Sequence, residues 1–77
     1  MMTEEAAEAL FTSPLQPSEN PTIDEVEGAV RRSLTAFGGA RGCAAAVAAE
    51  YGDHPDNASA RMRWALSLVR QRCRGRA

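Results

Sequence analysis

Apolar residues recur at helical spacing in three successive segments of this chain. The best-defined set repeats every three or four residues and comprises Ile23, Val26, Val30, Leu34 and Phe37. Such spacing places the whole set on one face of a helix. Thr22 and Glu25 have the spacing of a capping box at the start of this helix, and Gly38-Gly39 is typical of its end.

Two more helices follow in the sequence. Arg41 to Tyr51 is rich in alanine and places Cys43, Val47 and Tyr51 on one face. The last helix is predicted to begin near Asp53–Pro55, with Asp53 as its cap, and to run to about Cys73. Its expected core face is made of apolar residues within about 40° of one direction: Ala58, Met62, Leu66, Val69 and Cys73.

The first 21 residues differ from the rest in pattern. Thr3 to Phe11 has the composition of a short acidic helix, which at nine residues is marginal alone. Thr12 to Pro21 contains three prolines and favours an extended linker. The sequence therefore predicts an all-α fold: a three-helix bundle with an N-terminal arm. We expect the arm and linker in residues 1–21, the helical domain in residues 22–74 and a tail in residues 75–77.

The charges are divided between the two ends of the chain. All ten acidic residues lie at or before Asp56, where only three arginines oppose them. From Asn57 to Ala77 there are six arginines and no acid. The net charge of −1 thus conceals an acidic segment of about −7 followed by a basic one of +6. A cationic helix of this kind attracts polyanions or an acidic protein surface.

Composition narrows the class of protein further. The acidic first residues contain no long apolar run, so we expect neither a signal peptide nor a membrane span, and a cytoplasmic location. All nine basic residues are arginine, and alanine is abundant, which is typical of a GC-rich bacterial genome.

The chain offers little for catalysis or metal binding. His54 is the only histidine, and nothing in the sequence places a nucleophile beside it. Cys43 and Cys73 lack CxxC spacing, so we expect reduced thiols and no metal site, with a single bridge between them as the alternative. No glycine-rich phosphate loop is present. We therefore expect a non-enzymatic protein without a cofactor.

The segment from Ala44 to Leu66 resembles the helix-turn-helix of bacterial transcription regulators. A small residue, Ala48, precedes Gly52 by four positions, and Pro55 follows that glycine by three. Two positions depart from the pattern: Asp53 follows the glycine, and Arg61 stands where the second helix normally directs an apolar residue inward. The resemblance covers about 23 residues and implies a helix-turn-helix-like hairpin.

If the resemblance extends to function, it implies that the second helix binds DNA. The candidate nucleic-acid-binding residues are Asn57, Ser59, Arg61, Arg63, Arg70, Arg72 and Arg74. Arginine suits contacts with both guanine and phosphate. The sequence thus favours a small regulator that binds DNA. We expect it to bind as a homodimer, because two copies double the contacts. Residues 50–65 are also similar, more weakly, to part of the helical RNA-binding ANTAR module.

Trp64 and Leu68 support an alternative interpretation. They are four residues apart and are predicted to face away from the core. Bordered by arginines, they have the composition of a protein-interaction hot spot, so the alternative function is an adaptor that docks an acidic partner. A structural explanation competes with this one, in which the N-terminal arm folds back and covers Trp64.

Overall fold

The computed structural model describes residues 3–75, and the side chains of residues 3–72. This part of the chain contains four α-helices: α1 (Thr3–Thr12), α2 (Ile23–Ala36), α3 (Ala40–Asp53) and α4 (Pro55–Gly75). A short 3₁₀ helix, Pro17–Glu19, lies between α1 and α2. No strand occurs within residues 3–75. The predicted all-α class is therefore confirmed. Gly75, predicted to be the first residue of the tail, is the last residue of α4. Residues 76 and 77 lie outside the described part of the chain.

Helix α1 is an integral part of the core, which differs from the expected arm beside a three-helix bundle. Ala6, Ala7, Ala9 and Leu10 are fully buried, and Phe11 is nearly so. Helix α1 contacts all three other helices, and its contacts with α4 are the most extensive of any pair. Alanine side chains allow this close approach. The short helix, marginal by itself, is stabilised by tertiary packing.

The segment after α1 is less extended than its prolines suggested. The 3₁₀ helix ends at Asn20, whose φ of 47° lies in the left-handed region that asparagine tolerates. Leu15 packs against the core cluster. The linker therefore follows the surface of the bundle.

Helix α2 begins and ends as its sequence predicts. The Thr22 hydroxyl accepts a hydrogen bond from the Glu25 amide, and the Glu25 carboxylate accepts one from the Thr22 amide. At the other end, Gly38 has a φ of 78° and the Gly39 amide donates to the Leu34 carbonyl. This is the bonding of a Schellman cap, which needs a residue with positive φ. The capping box and the Gly38-Gly39 stop are both confirmed.

Helices α3 and α4 are separated by His54 alone. Helix α3 continues through Gly52 and Asp53, so these residues are helical and not part of a turn. The His54 carbonyl accepts from the Ala58 amide, which makes His54, rather than Asp53, the residue that precedes α4. The connection is shorter than the three- or four-residue turn of a typical helix-turn-helix.

The core lies slightly to one side of the apolar faces that the sequence predicts. On α2, Val26 and Val30 are buried, but Ile23 and Phe37 at the two ends are 43% and 42% exposed. Among the described side chains of α4, the buried ones are Ala58, Ala65 and Val69. The side chain of Cys73, also predicted for the core face, lies outside the described residues. Met62 and Leu66, predicted for the core face of α4, are half-buried at its edge. The buried face of α4 is rotated toward Trp64 and Leu68, since α1 supplies a fourth side to the core.

Gly42 allows α3 to lie against the end of α2. A Cβ atom at this position would overlap the backbone oxygen of Phe37, whereas one on Gly52 of the same helix would meet nothing within 4 Å. We predict that Gly42→Ala lowers the free energy of unfolding by about 2 kcal/mol, because the backbone must shift. Gly52→Ala should raise it by about 0.5 kcal/mol through reduced backbone entropy. Thermal unfolding of both variants checks this prediction. Equal effects at the two positions would contradict it.

Candidate functional site

Arg61, a predicted nucleic-acid contact, is bound to the chain itself. Its Nε donates to the Phe11 carbonyl at 2.7 Å. Its Nη2 donates to the carbonyls of Ser13 and Leu15 at 2.7 and 2.9 Å. The last carbonyls of a helix have no partner within the helix, and a cation is favoured near them. Arg61 therefore caps α1 from α4, across about 50 residues of sequence.

Two aromatic rings flank the same guanidinium. Its central carbon lies 4.7 Å from the centroid of the Trp64 ring and 5.8 Å from that of Phe11. These are cation–π distances. Burial lowers the pKa of Arg61 from its usual value, because partial loss of water disfavours the charged form. The three carbonyls and two rings offset that loss, and their geometry fits the planar fork of arginine.

Trp64 and Leu68 do not form a fully exposed patch. Both are half-buried and pack against the core cluster. The Arg61 guanidinium also lies against the Trp64 ring. The expectation that both residues face away from the core is therefore wrong. The competing idea, that the N-terminal segment covers Trp64, stays a prediction. Arg61 joins Trp64 to the end of α1, because its guanidinium lies against the Trp64 ring and binds the Phe11 carbonyl.

A separate set of polar side chains lies along the outer surface of α4. At 100° per residue, Ser59, Arg63 and Arg70 fall within about 40° of one another. We call these three residues the α4 stripe. Arg63 and Arg70 are exposed and about 10 Å apart along the helix axis, while Ser59 is half-buried. The structure thus brings three of the seven predicted nucleic-acid contacts onto one face.

The remaining predicted contacts lie elsewhere. Asn57 is exposed but lies about 120° or more around the helix from the α4 stripe. Arg72 is half-buried, on nearly the opposite side of α4. The helical position of Arg74 falls on the α4 stripe, but its side chain is outside the described residues. The predicted set is therefore not one continuous surface.

No carboxylate of the described residues forms an ion pair with the arginines of the α4 stripe. Neither Arg63 nor Arg70 has a described carboxylate within the 4.0 Å of an ion pair. Asp56 is exposed in the first turn of α4 and lies on the same face, seven residues before Arg63. One acidic group therefore stands at the amino-terminal end of an otherwise cationic stripe.

The groups considered for catalysis and metal binding are dispersed. His54 is exposed between two helices, and Cys43 is a buried free thiol. Its sulfur interacts with the Ser33 carbonyl and the Thr12 hydroxyl. Across the described residues, no three His, Cys, Asp or Glu side chains are grouped to hold a metal ion. Nor does any helix there combine the length and hydropathy needed to cross a membrane.

A pocket beside Arg61 was not predicted from the sequence. It has a volume of about 360 Å³. Its lining residues are Phe11, Thr12, Phe37, Ala46, Glu50 and Arg61. They come from α1, α3, α4 and the α2–α3 turn, which explains why no local pattern indicated them. The one usable signal was the inward helical position of Arg61.

No family model, curated protein sequence or solved structure matches this chain.

The three carbonyl contacts make Arg61 the most consequential arginine for stability. We predict that Arg61→Lys, which keeps the charge but loses the fork, lowers the free energy of unfolding by about 2 kcal/mol. Arg61→Ala should cost about 3 kcal/mol, because it also leaves carbonyls without partners. The matched control, Arg63→Ala, should change stability by less than about 0.5 kcal/mol. Urea unfolding measures all three. An Arg61→Ala variant as stable as the control would contradict the capping role.

Proposed function

We propose that the protein is a small, non-enzymatic regulator that binds DNA through the α4 stripe. The observation that carries the proposal is the pair Arg63 and Arg70, exposed on one face with no carboxylate partner among the described residues. Guanidinium groups in this state are free to contact phosphates, and phosphate contacts dominate nonspecific affinity for DNA.

The geometry favours contact with the backbone of DNA over insertion of the first turns of α4 into the major groove. Arg61, one of the candidate nucleic-acid contacts, holds α1 instead. Asn57 lies on another face than the α4 stripe. Phosphate contacts position a protein but carry no sequence information directly. One chain should therefore bind weakly and with little sequence preference, and a dimer would add contacts.

No comparable observation supports the adaptor alternative. Its proposed anchors, Trp64 and Leu68, are half-buried against the core. Part of each side chain is already covered by the chain itself, which leaves less apolar surface for a partner than a fully exposed pair would offer. The DNA proposal is the better supported, because Arg63 and Arg70 are exposed whereas Trp64 and Leu68 are not.

Titration of labelled mixed-sequence duplex DNA tests the proposal. Binding should weaken with salt, with a log–log slope of about −2 to −4 for the few phosphates involved. Arg63→Ala/Arg70→Ala should lower the affinity and reduce the slope by about 2. The matched control is Arg31→Ala/Arg32→Ala, which removes the same charge from exposed positions on α2. Absence of wild-type binding at low salt, or an equal loss in the control, would refute the α4 stripe as a DNA-binding surface.

Substitution of Asp56 gives a second test, in which the DNA affinity should rise instead of fall. Because it lies on the face of the α4 stripe, its charge should repel phosphate there. We predict that Asp56→Asn raises DNA affinity about twofold at low salt, the size expected for charges about 10 Å apart in water. Asp24→Asn is the control, since Asp24 is also exposed in the first turn of a helix. If Asp24→Asn raises the affinity equally, net charge rather than position is responsible.

A further inference from the structure

We propose that the pocket beside Arg61 binds a free amino acid with an aromatic side chain. At about 360 Å³, the pocket is at the small end of the range for ligand sites. Its lining combines apolar walls with one cationic and one anionic side chain. A ligand matching this lining carries a carboxylate, an ammonium group and an apolar ring.

The apolar walls are held in place by the fold. Phe37 is 42% exposed, although a phenylalanine normally seeks cover. The positive φ of Gly38 and the close approach of Gly42 fix the backbone on which it lies. Phe11, which also lines the pocket, stacks with Tyr51 at a centroid distance of 6.4 Å. An aromatic ligand would cover apolar surface that is otherwise left to water.

The charged groups of the pocket retain binding capacity. Arg61 has five N–H donors, and its three hydrogen bonds to carbonyls use Nε and Nη2. The two N–H groups of Nη1 make none of these bonds. Glu50 also lines the pocket, is exposed, and forms no ion pair with Arg61. A ligand carboxylate would accept hydrogen bonds from Nη1 of Arg61, and a ligand ammonium group would donate to the carboxylate of Glu50.

This site does not depend on the proposed DNA-binding function. The pocket contains neither Arg63 nor Arg70. Loss of DNA binding and loss of ligand binding are therefore separate results, obtained with separate variants.

Titration of the folded protein with L-phenylalanine, followed by amide NMR shifts, tests the proposal. The signals of Phe37, Ala46 and Glu50 should shift in a saturable way, with a dissociation constant on the order of 1 mM for so small a ligand. Phenethylamine lacks the carboxylate and 3-phenylpropanoate lacks the ammonium group. Each should bind at least about tenfold more weakly. Absence of saturable shifts up to about 10 mM, or equal binding of all three compounds, would overturn the proposal.

Substitutions in the pocket and beside it test whether the pocket is the binding site. Ala46→Met should fill the pocket and weaken L-phenylalanine binding at least about tenfold, whereas Ala45→Met, at the neighbouring exposed position, should leave it unchanged. Glu50→Gln should remove the preference for L-phenylalanine over 3-phenylpropanoate. Equal losses in the two methionine variants would rule out the pocket as the site. So would shifts that follow protein concentration instead of ligand concentration, because they would indicate self-association.

Discussion

The capping of α1 by Arg61 is the interaction on which the arrangement of this protein depends. A ten-residue helix is too short to be stable alone, yet α1 carries five of the buried residues of the core. Arg61 binds the carbonyls of Phe11, Ser13 and Leu15 and so attaches the end of α1 to the middle of α4. The cation loses water there, and charge-assisted hydrogen bonds compensate for it. Packing and capping thus act together to keep α1 in the bundle.

This arrangement gives the arginines of α4 distinct roles. Arg61 points inward, stabilises the fold and borders a pocket. Arg63 and Arg70 point outward and are unpaired within the described part of the chain. The charge difference between the two ends of the sequence therefore does not translate into one continuous basic surface. Among the described arginines of α4, Arg61 forms an internal cap, Arg63 and Arg70 form a narrow outer stripe, and Arg72 lies on nearly the opposite side. For this reason we propose weak contact with phosphates and not specific reading of bases.

The features that the sequence predicted well depend on neighbours along the chain. Thr22 and Glu25 cap α2 because they are three residues apart, and Gly38 ends it because glycine adopts positive φ easily. The features it missed depend on distant contacts. The alanines of α1 carry a weak local signal, and only packing against the other helices buries them. Phe37 has the correct spacing for the core, but it is the cap residue where α2 ends.

The candidate sites likewise combine features that depend on neighbours along the chain with features that depend on distant contacts. The shared face of Arg63 and Arg70 follows from helical spacing alone and was predictable. The role of Arg61 was not, because its partners lie about 50 residues earlier. Its inward position in the helix-turn-helix resemblance did, however, mark it as unusual for an arginine.

Native-state hydrogen exchange tests the central role of this cap most directly. If Arg61 and packing make α1 part of the cooperative core, the amides of Leu10 and Phe11 should exchange with the same opening free energy as those of Ala65 and Val69. Exchange of the α1 amides at nearly the rate of an unfolded segment, while α4 remains protected, would contradict the account. In that case the first helix would be the loosely attached arm that its local sequence suggests.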